Sequence, residues 1–117
     1  MRIVVKGRNL DVDAERERRV EKRFAKVARQ VSPLAVLEVE LREERNPAIR
    51  DSQVAEGTLQ LKGVTLRSSS STDSMVHSIN DMSADLARQV KRHREKRRKR
   101  RKSRSAKASA RARPATP

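Results

Sequence analysis

Arg16, Arg18, Arg19, Lys22, Arg23, Lys26 and Arg29 crowd one short stretch of the chain, and a second, denser run of cations spans Lys91 to Lys102. Side chains of this type at this density suit phosphate, through charge neutralisation and counterion release. They do not suit bond-making chemistry. The two histidines are His77 and His93, and only His77 has a carboxylate at helical spacing, Asp81. That i,i+4 spacing is what an exposed surface pair on a helix shows. Cysteine is absent, so thiol nucleophiles, disulfides and zinc-thiolate sites are excluded. The three glycines are scattered at 7, 57 and 63 and form no phosphate-cradling loop. No catalytic residue, metal or cofactor is expected.

Positioning the first group of cations falls to a helix. Asp13 is a plausible N-cap, with Glu15 and Glu17 suited to the positive end of the helix dipole. Val20, Phe24, Val27 and Val31 recur at spacings of four, three and four, which is one helical face. Pro33 ends the segment. At about 100° per residue, the seven cations fill an arc from about 160° to 320° away from Val20, with only Glu15 among them. Glu17 and Glu21 lie on the other flank. Mixed-sign helix faces are usually just solvated; here the signs are segregated, as on a contact surface.

The remaining elements follow from periodicity. RIVVK, residues 2–6, reads as a short strand stopped by Gly7. AVLEVELR, residues 35–42, alternates cleanly, with Leu37, Val39 and Leu41 on one face and Glu38, Glu40 and Arg42 on the other, a strand with one wet face. Asn46-Pro47 signals a turn in the following loop. Residues 53–61 and 64–68 read as two strands joined at Lys62-Gly63. The run Ser68–Ser71 with Thr72 and Asp73 reads as a loop leading into a second helix and supplying its N-caps, rather than as a set of phosphorylation sites. That helix has the stripe Met75, Ile79, Met82, Leu86 and Val90. The order is β-α-β-β-β-α. The expected fold is α+β: one mainly antiparallel four-stranded sheet with two helices on one face.

The net charge of +15 is unevenly placed. Residues 1–85 hold 15 Lys and Arg against 14 Asp and Glu, whereas residues 86–117 hold 15 against Glu95 alone. The chain thus divides into an α+β body, 1–95, and a basic C-terminal tail, 96–117, expected to be largely disordered. Past Val90 the next positions on the apolar stripe are His93 and Arg97, so a helix running on as a basic rod is the equal alternative. With no Trp or Tyr and a single Phe, there is no stacking platform for splayed bases. Structured RNA read by shape and backbone fits better. No segment is long and apolar enough to span a membrane, and the basic run has no apolar face to insert in one. Absence of cysteine permits a reducing cytoplasm.

The order of local motifs resembles the bacterial ribosome hibernation-promoting factor and ribosome-associated inhibitor (protein Y) family. The resemblance covers residues 1 to about 97. It rests on Arg2-Ile3, Gly7-Arg8-Asn9, Val12-Asp13-Ala14, Val20-Glu21-Lys22-Arg23 and the apolar position at Phe24. It is strongest at Met75, Ile79-Asn80 and Leu86-Ala87-Arg88-Gln89-Val90-Lys91. Val76 stands where the family commonly has tyrosine, and residues 43–52 match no family pattern closely.

The resemblance implies a cytoplasmic, ribosome-associated protein that is a monomer when free. It would bind the small ribosomal subunit at the decoding channel, block messenger and transfer RNA, and preserve idle ribosomes under stress. By position, contact with ribosomal RNA would fall to Arg19, Lys22, Arg23, Lys26 and Arg29 of the first helix and Arg88, Lys91, Arg92 and Arg94 of the second. Arg97, Arg98, Lys99, Arg100, Arg101 and Lys102 would extend that contact. A dimerising second domain would not fit in this length, so a short form, or an N-terminal domain whose partner has been replaced by a basic tail, is expected. The rival readings are a double-stranded-RNA-binding-like protein and a histone-like chromosome-binding protein. The first needs a lysine cluster at the start of the last helix, where this chain has Ser74, Met75 and Val76 after Asp73.

Overall fold

The computed structural model describes the backbone of residues 1–46 and 48–112 and the side chains through Arg104, apart from Pro47. Pro47 of the expected turn, and residues 113–117 of the expected tail, lie outside the described residues. The elements run β1 (Arg2–Arg8), α1 (Ala14–Gln30), β2 (Val36–Glu43), β3 (Gln53–Leu61), β4 (Val64–Thr72) and α2 (Met75–Ala112). The four strands form one sheet in the order β1-β2-β3-β4. The β1–β2 pair is parallel, because α1 carries the chain back across the sheet between them. The other two pairs are antiparallel, joined by a loop and by a tight turn at Lys62-Gly63. Gly63 there has φ of 79°, a left-handed value that glycine adopts without steric cost.

Alternation along the strands places Leu37, Val39 and Leu41 of β2 and Ala55 and Leu59 of β3 under the helices. From above, α1 contributes Val20, Phe24 and Val27, and α2 contributes Met75, Ile79, Met82, Leu86 and Val90. These residues form one contiguous core in which Phe24 is fully buried. α2 lies over β3 and β4, while α1 lies against β1 and α2. The approach of α2 to β3 is close: a Cβ on Gly57 would stand 2.6 Å from both Leu86 Cδ1 and Met82 Sδ. A glycine in mid-strand costs β propensity, and here its missing side chain admits the helix.

Asp13 caps α1 as expected, its Oδ1 accepting the Arg16 N–H at 2.8 Å. Two expectations are corrected. β1 does not stop at Gly7 but continues through Arg8, because Gly7 and Arg8 pair with Leu41 and Arg42 of the longer neighbouring strand. Ser68–Thr72 is not a loop: it is the second half of β4, in register with Gly57 through Gln53. The serine run hid this because it lacks the apolar alternation that marks a strand. Its inward side is polar, and hydroxyls serve it. The buried Ser78 of α2 accepts the Thr72 N–H and donates to the Gln53 carbonyl at 2.6 Å.

α2 crosses the expected body–tail boundary at residue 95 without a break in the helix. What ends there is the packing. Val90 is its last buried residue among those described, and all side chains from Arg94 to Arg104 are exposed. At about 1.5 Å per residue the 38 residues of α2 extend about 57 Å. The molecule is accordingly long, 78 Å by 28 Å by 18 Å.

Candidate nucleic-acid interface

α1 and α2 lie side by side on the sheet, so the cations flanking their buried stripes face a common groove. Arg23 and Lys26 from α1 and Arg88, Lys91 and Arg94 from α2 line it, with no carboxylate among the described residues of its walls. Its volume is about 460 Å³. The sequence pattern explains the meeting. Lys26 and Arg23 flank Phe24 and Val27, just as Arg88 and Lys91 flank Leu86 and Val90. Once both stripes pack on one sheet, the flanks must converge.

Arg23 is held more firmly than its neighbours. Its Nε donates to Ser83 Oγ at 3.3 Å and its Nη2 to the Asn80 carbonyl at 3.4 Å, while Ser83 Oγ donates to the same carbonyl at 2.9 Å. These bonds tie the guanidinium across the helix–helix seam. On the other side of Arg23, a second hollow is lined by Arg18, Arg19 and Lys22 with Glu15 and Asn80. Asn80 Oδ1 is buried and has no hydrogen-bond partner among the described residues. Arg18 is legible from the sequence only as part of the cationic face of the first helix, and Asn80 and Ser83 are not singled out by it as site residues. Ser83 and Asn80 sit on α2 among apolar positions, and only the crossing of α1 brings Arg23 to them.

Arg29 and Arg92 are exposed but line neither hollow. By helical rotation Arg29 sits opposite the buried stripe of α1, and Arg92 falls on the flank of α2 that carries Asp85 and Gln89. Arg97 lies further along α2, over the end of the sheet, where it lines a separate cavity. Arg98, Lys99, Arg100, Arg101 and Lys102 are exposed on the projecting part of α2. At about 100° per residue they fall on every side of the helix.

The opposite surface is of mixed sign: β1 brings Arg2, Lys6 and Arg8 to the same face as the glutamates of β2 and β3. The outer face of the sheet carries Glu38, Glu40 and Glu56, with Glu40 and Glu56 directly paired across β2 and β3. Arg42 relieves this repulsion: it bonds Glu56 at 2.7 Å and Glu44 at 3.2 Å and lies 4.0 Å from Glu40. Burial opposes the charge on Arg42, but its hydrogen bonds to Glu44 and Glu56 outweigh that effect and raise its pKa. At the edge of the sheet, hydrogen bonds from Ser68 and Gln89, aided by Arg88, hold Asp85 below the usual carboxylate range against a smaller burial effect. Gln89 also donates to the Arg67 carbonyl at 2.7 Å, fastening α2 to β4. Acid and base are thus mixed on the sheet side, whereas the groove on the helix side is lined by cations without a carboxylate among its described residues. Among the described residues no helix is long and apolar enough to cross a membrane, and no group of three His, Asp or Glu could hold a metal ion.

Fold and surface together define a small α+β domain with a helix-borne cationic groove. The chain belongs to the Sigma 54 modulation protein / S30EA ribosomal protein family, whose model matches residues 3–98. This is the hibernation-promoting factor and protein Y family that the sequence motifs resemble. The chain is 24% identical over 100 residues to a ribosome hibernation promoting factor of Acinetobacter guillouiae, covering 81% of this chain and 88% of that one. The crystal structure of the Thermus thermophilus Protein Y N-terminal domain superposes with a TM-score of 0.68 at 25% identity, over 80% of this chain and 99% of that domain. A ribosomal subunit interface protein from Coxiella burnetii has the same fold, with a TM-score of 0.67 at 14% identity over 81% of this chain and 99% of that one.

Proposed function

We propose that this protein is a hibernation factor that binds the small ribosomal subunit at the decoding channel, excludes messenger and transfer RNA, and stabilises idle ribosomes under stress. The observation that carries the proposal is the groove between α1 and α2, where five cations from two elements converge, Arg23 held by Ser83 and Asn80, with no carboxylate among the described lining residues. Family membership and the names of the relatives point the same way. No chemical step is needed: occupancy of the channel is the activity, and the protein works in the cytoplasm on ribosomal RNA and is a monomer when free.

Within this reading the body, residues 1–95, supplies the address and the basic stretch, residues 96–117, supplies affinity. Arg19, Lys22, Arg23, Lys26 and Arg88, Lys91, Arg94 lie against RNA phosphates. Arg29, Arg92 and the cations from Arg97 to Lys102 add contacts around them.

The test is cosedimentation with isolated ribosomal subunits at fixed salt, followed by a footprint of the bound RNA. The expected result is a complex with the small subunit, displaced by transfer RNA, with protection confined to the decoding region. The all-round charge of the α2 extension also suits any polyanion, which keeps general structured-RNA or chromosome binding as the competing reading. Equal affinity for length-matched DNA and for the small subunit would establish that competitor instead.

A further inference from the structure

The largest cavity described, about 500 Å³, opens where α1 ends, β3 turns into β4 and α2 leaves the sheet. Its cause is visible in α2. The stripe that seals the core ends at Val90, and the next positions on that side are His93 and Arg97, both of which line the cavity. The end of the core is thus roofed by an imidazole and a guanidinium rather than by an aliphatic side chain.

The lining has two characters. Val31, Leu34, Val36, Leu61 and Val90 make it aliphatic, and Lys62, Arg94 and Arg97 make it cationic, with no carboxylate among the described lining residues. Leu34 is 89% exposed, by far the most exposed large hydrophobic side chain of those described. Gln30 and Gln60 add amides that donate and accept hydrogen bonds. An apolar body joined to an anion, with polar edges, is what such a site complements. Ligand cavities of about 300–1,000 Å³ are the usual size for such molecules.

Arg94 and Gln30 also line the cationic groove between the helices. A strand whose phosphates follow that groove therefore reaches the cavity without leaving the cationic track. We propose that the cavity takes one unstacked nucleotide of the bound RNA: its base lies against the aliphatic wall, its edge meets Gln30 and Gln60, and its phosphate meets Arg94 and Arg97. Apolar side chains can sandwich an unstacked base as aromatic ones do, so the site needs none of the tyrosines and tryptophans this chain lacks. This inference rests on the reading of the groove as an RNA track.

The test uses the full chain with labelled Val and Leu methyls, titrated with each of the four ribonucleoside monophosphates. Ribose 5-phosphate, inorganic phosphate and decyl phosphate serve as controls. The expected result is saturable shifts at Val31, Leu34 and Val90 with at least one nucleotide, and roughly tenfold weaker binding of ribose 5-phosphate. Leu34→Asp, at an exposed position, removes those shifts, and Arg97→Glu weakens them. Identical shifts with ribose 5-phosphate, tighter binding of decyl phosphate than of any nucleotide, or no shift at all would each overturn the proposal. Ribosome cosedimentation separates this from the functional reading. Small-subunit binding without nucleotide shifts sinks the cavity alone, whereas nucleotide shifts without small-subunit binding sink the ribosomal assignment and leave the site standing.

Discussion

The two halves of α2 carry similar chains of helical hydrogen bonds but opposite relations to the rest of the protein. From Met75 to Val90 the helix buries a stripe of five apolar side chains, so the angular position of every other residue is set by the sheet beneath. From Arg98 to Arg104 every side chain is exposed, and cations face all directions. Arg88 and Lys91 therefore point where the core directs them, into a shared groove with Arg23 and Lys26. Arg98 to Lys102 are directed by nothing except the helix itself. Fixed charges can discriminate between surfaces by geometry, whereas unfixed charges mostly add sequence-independent attraction. The first half is where specificity belongs, and the second is where affinity and salt dependence belong.

The hardest blow to this division is Phe24→Ala. Loss of this fully buried ring should destabilise the fold by about 3–5 kcal/mol, read from urea unfolding. With α1 loosened, the groove loses one wall while the cationic extension is untouched. The variant should still bind polyanions with strong salt dependence yet fail to compete with transfer RNA. Retained competition by a largely unfolded variant would show that the extension alone carries the address.

Next in size is reversal of the groove without loss of the core. Lys22→Glu, Arg23→Glu and Lys26→Glu together should weaken small-subunit binding by about 100-fold or more, since three attractions to phosphate become repulsions. The far-ultraviolet circular dichroism should be unchanged. Arg23 also bridges to Ser83 and Asn80, so the pair Lys22→Glu and Lys26→Glu is the control free of that seam. Normal sedimentation of the triple variant would remove α1 from the interface.

Truncation after Arg97 probes the other half. It deletes nine cations, and the slope of log K against log salt should fall by about 0.9 for each phosphate that is no longer neutralised. Binding should weaken by about tenfold or more at low salt and differ less at high salt, while competition with transfer RNA persists. An unchanged slope would mean the extension does not touch RNA.

How much of this contrast could be read from the chain alone follows from the same physics. Val20, Phe24, Val27 and the stripe of α2 were legible because burial imposes a period on apolar residues, and Asp13 because a cap needs a particular side chain. Segregated charge on α1 pointed to Lys22, Arg23 and Lys26. β4 was half hidden: Ser68 to Thr72 are strand because β3 needs a partner and because Ser78 accepts the Thr72 N–H, a hydrogen bond made only after folding. The seam around Arg23 and the cavity at His93 and Arg97 were illegible for a related reason, although the end of the apolar stripe at those two residues was plain. Both depend on where two helices end relative to one sheet, and no local pattern encodes that distance.

The smallest expected effect concerns the fastening that keeps the packed half of α2 in place. Asp85 is held below its ordinary pKa by Ser68 and Gln89, with Arg88 adding to the effect, and Gln89 in turn holds the Arg67 carbonyl of β4. A carboxylate whose folded pKa is depressed stabilises the fold above its unfolded value of about 3.9, and that contribution fades as pH falls through the lower folded value. The wild type should therefore lose this increment below about pH 4, whereas Asp85→Asn should lack it throughout and show a flatter acid limb. Because the side chain is 37% exposed, solvent screening keeps the difference small, a shift in the unfolding midpoint at neutral pH that nearly vanishes in acid. Groove binding should not fall, since Asp85 lines none of the groove and its loss only frees Arg88 from an exposed ion pair. A large loss of small-subunit affinity in this variant would mean that the register of α2 on β4, and not only the cations it carries, sets the address.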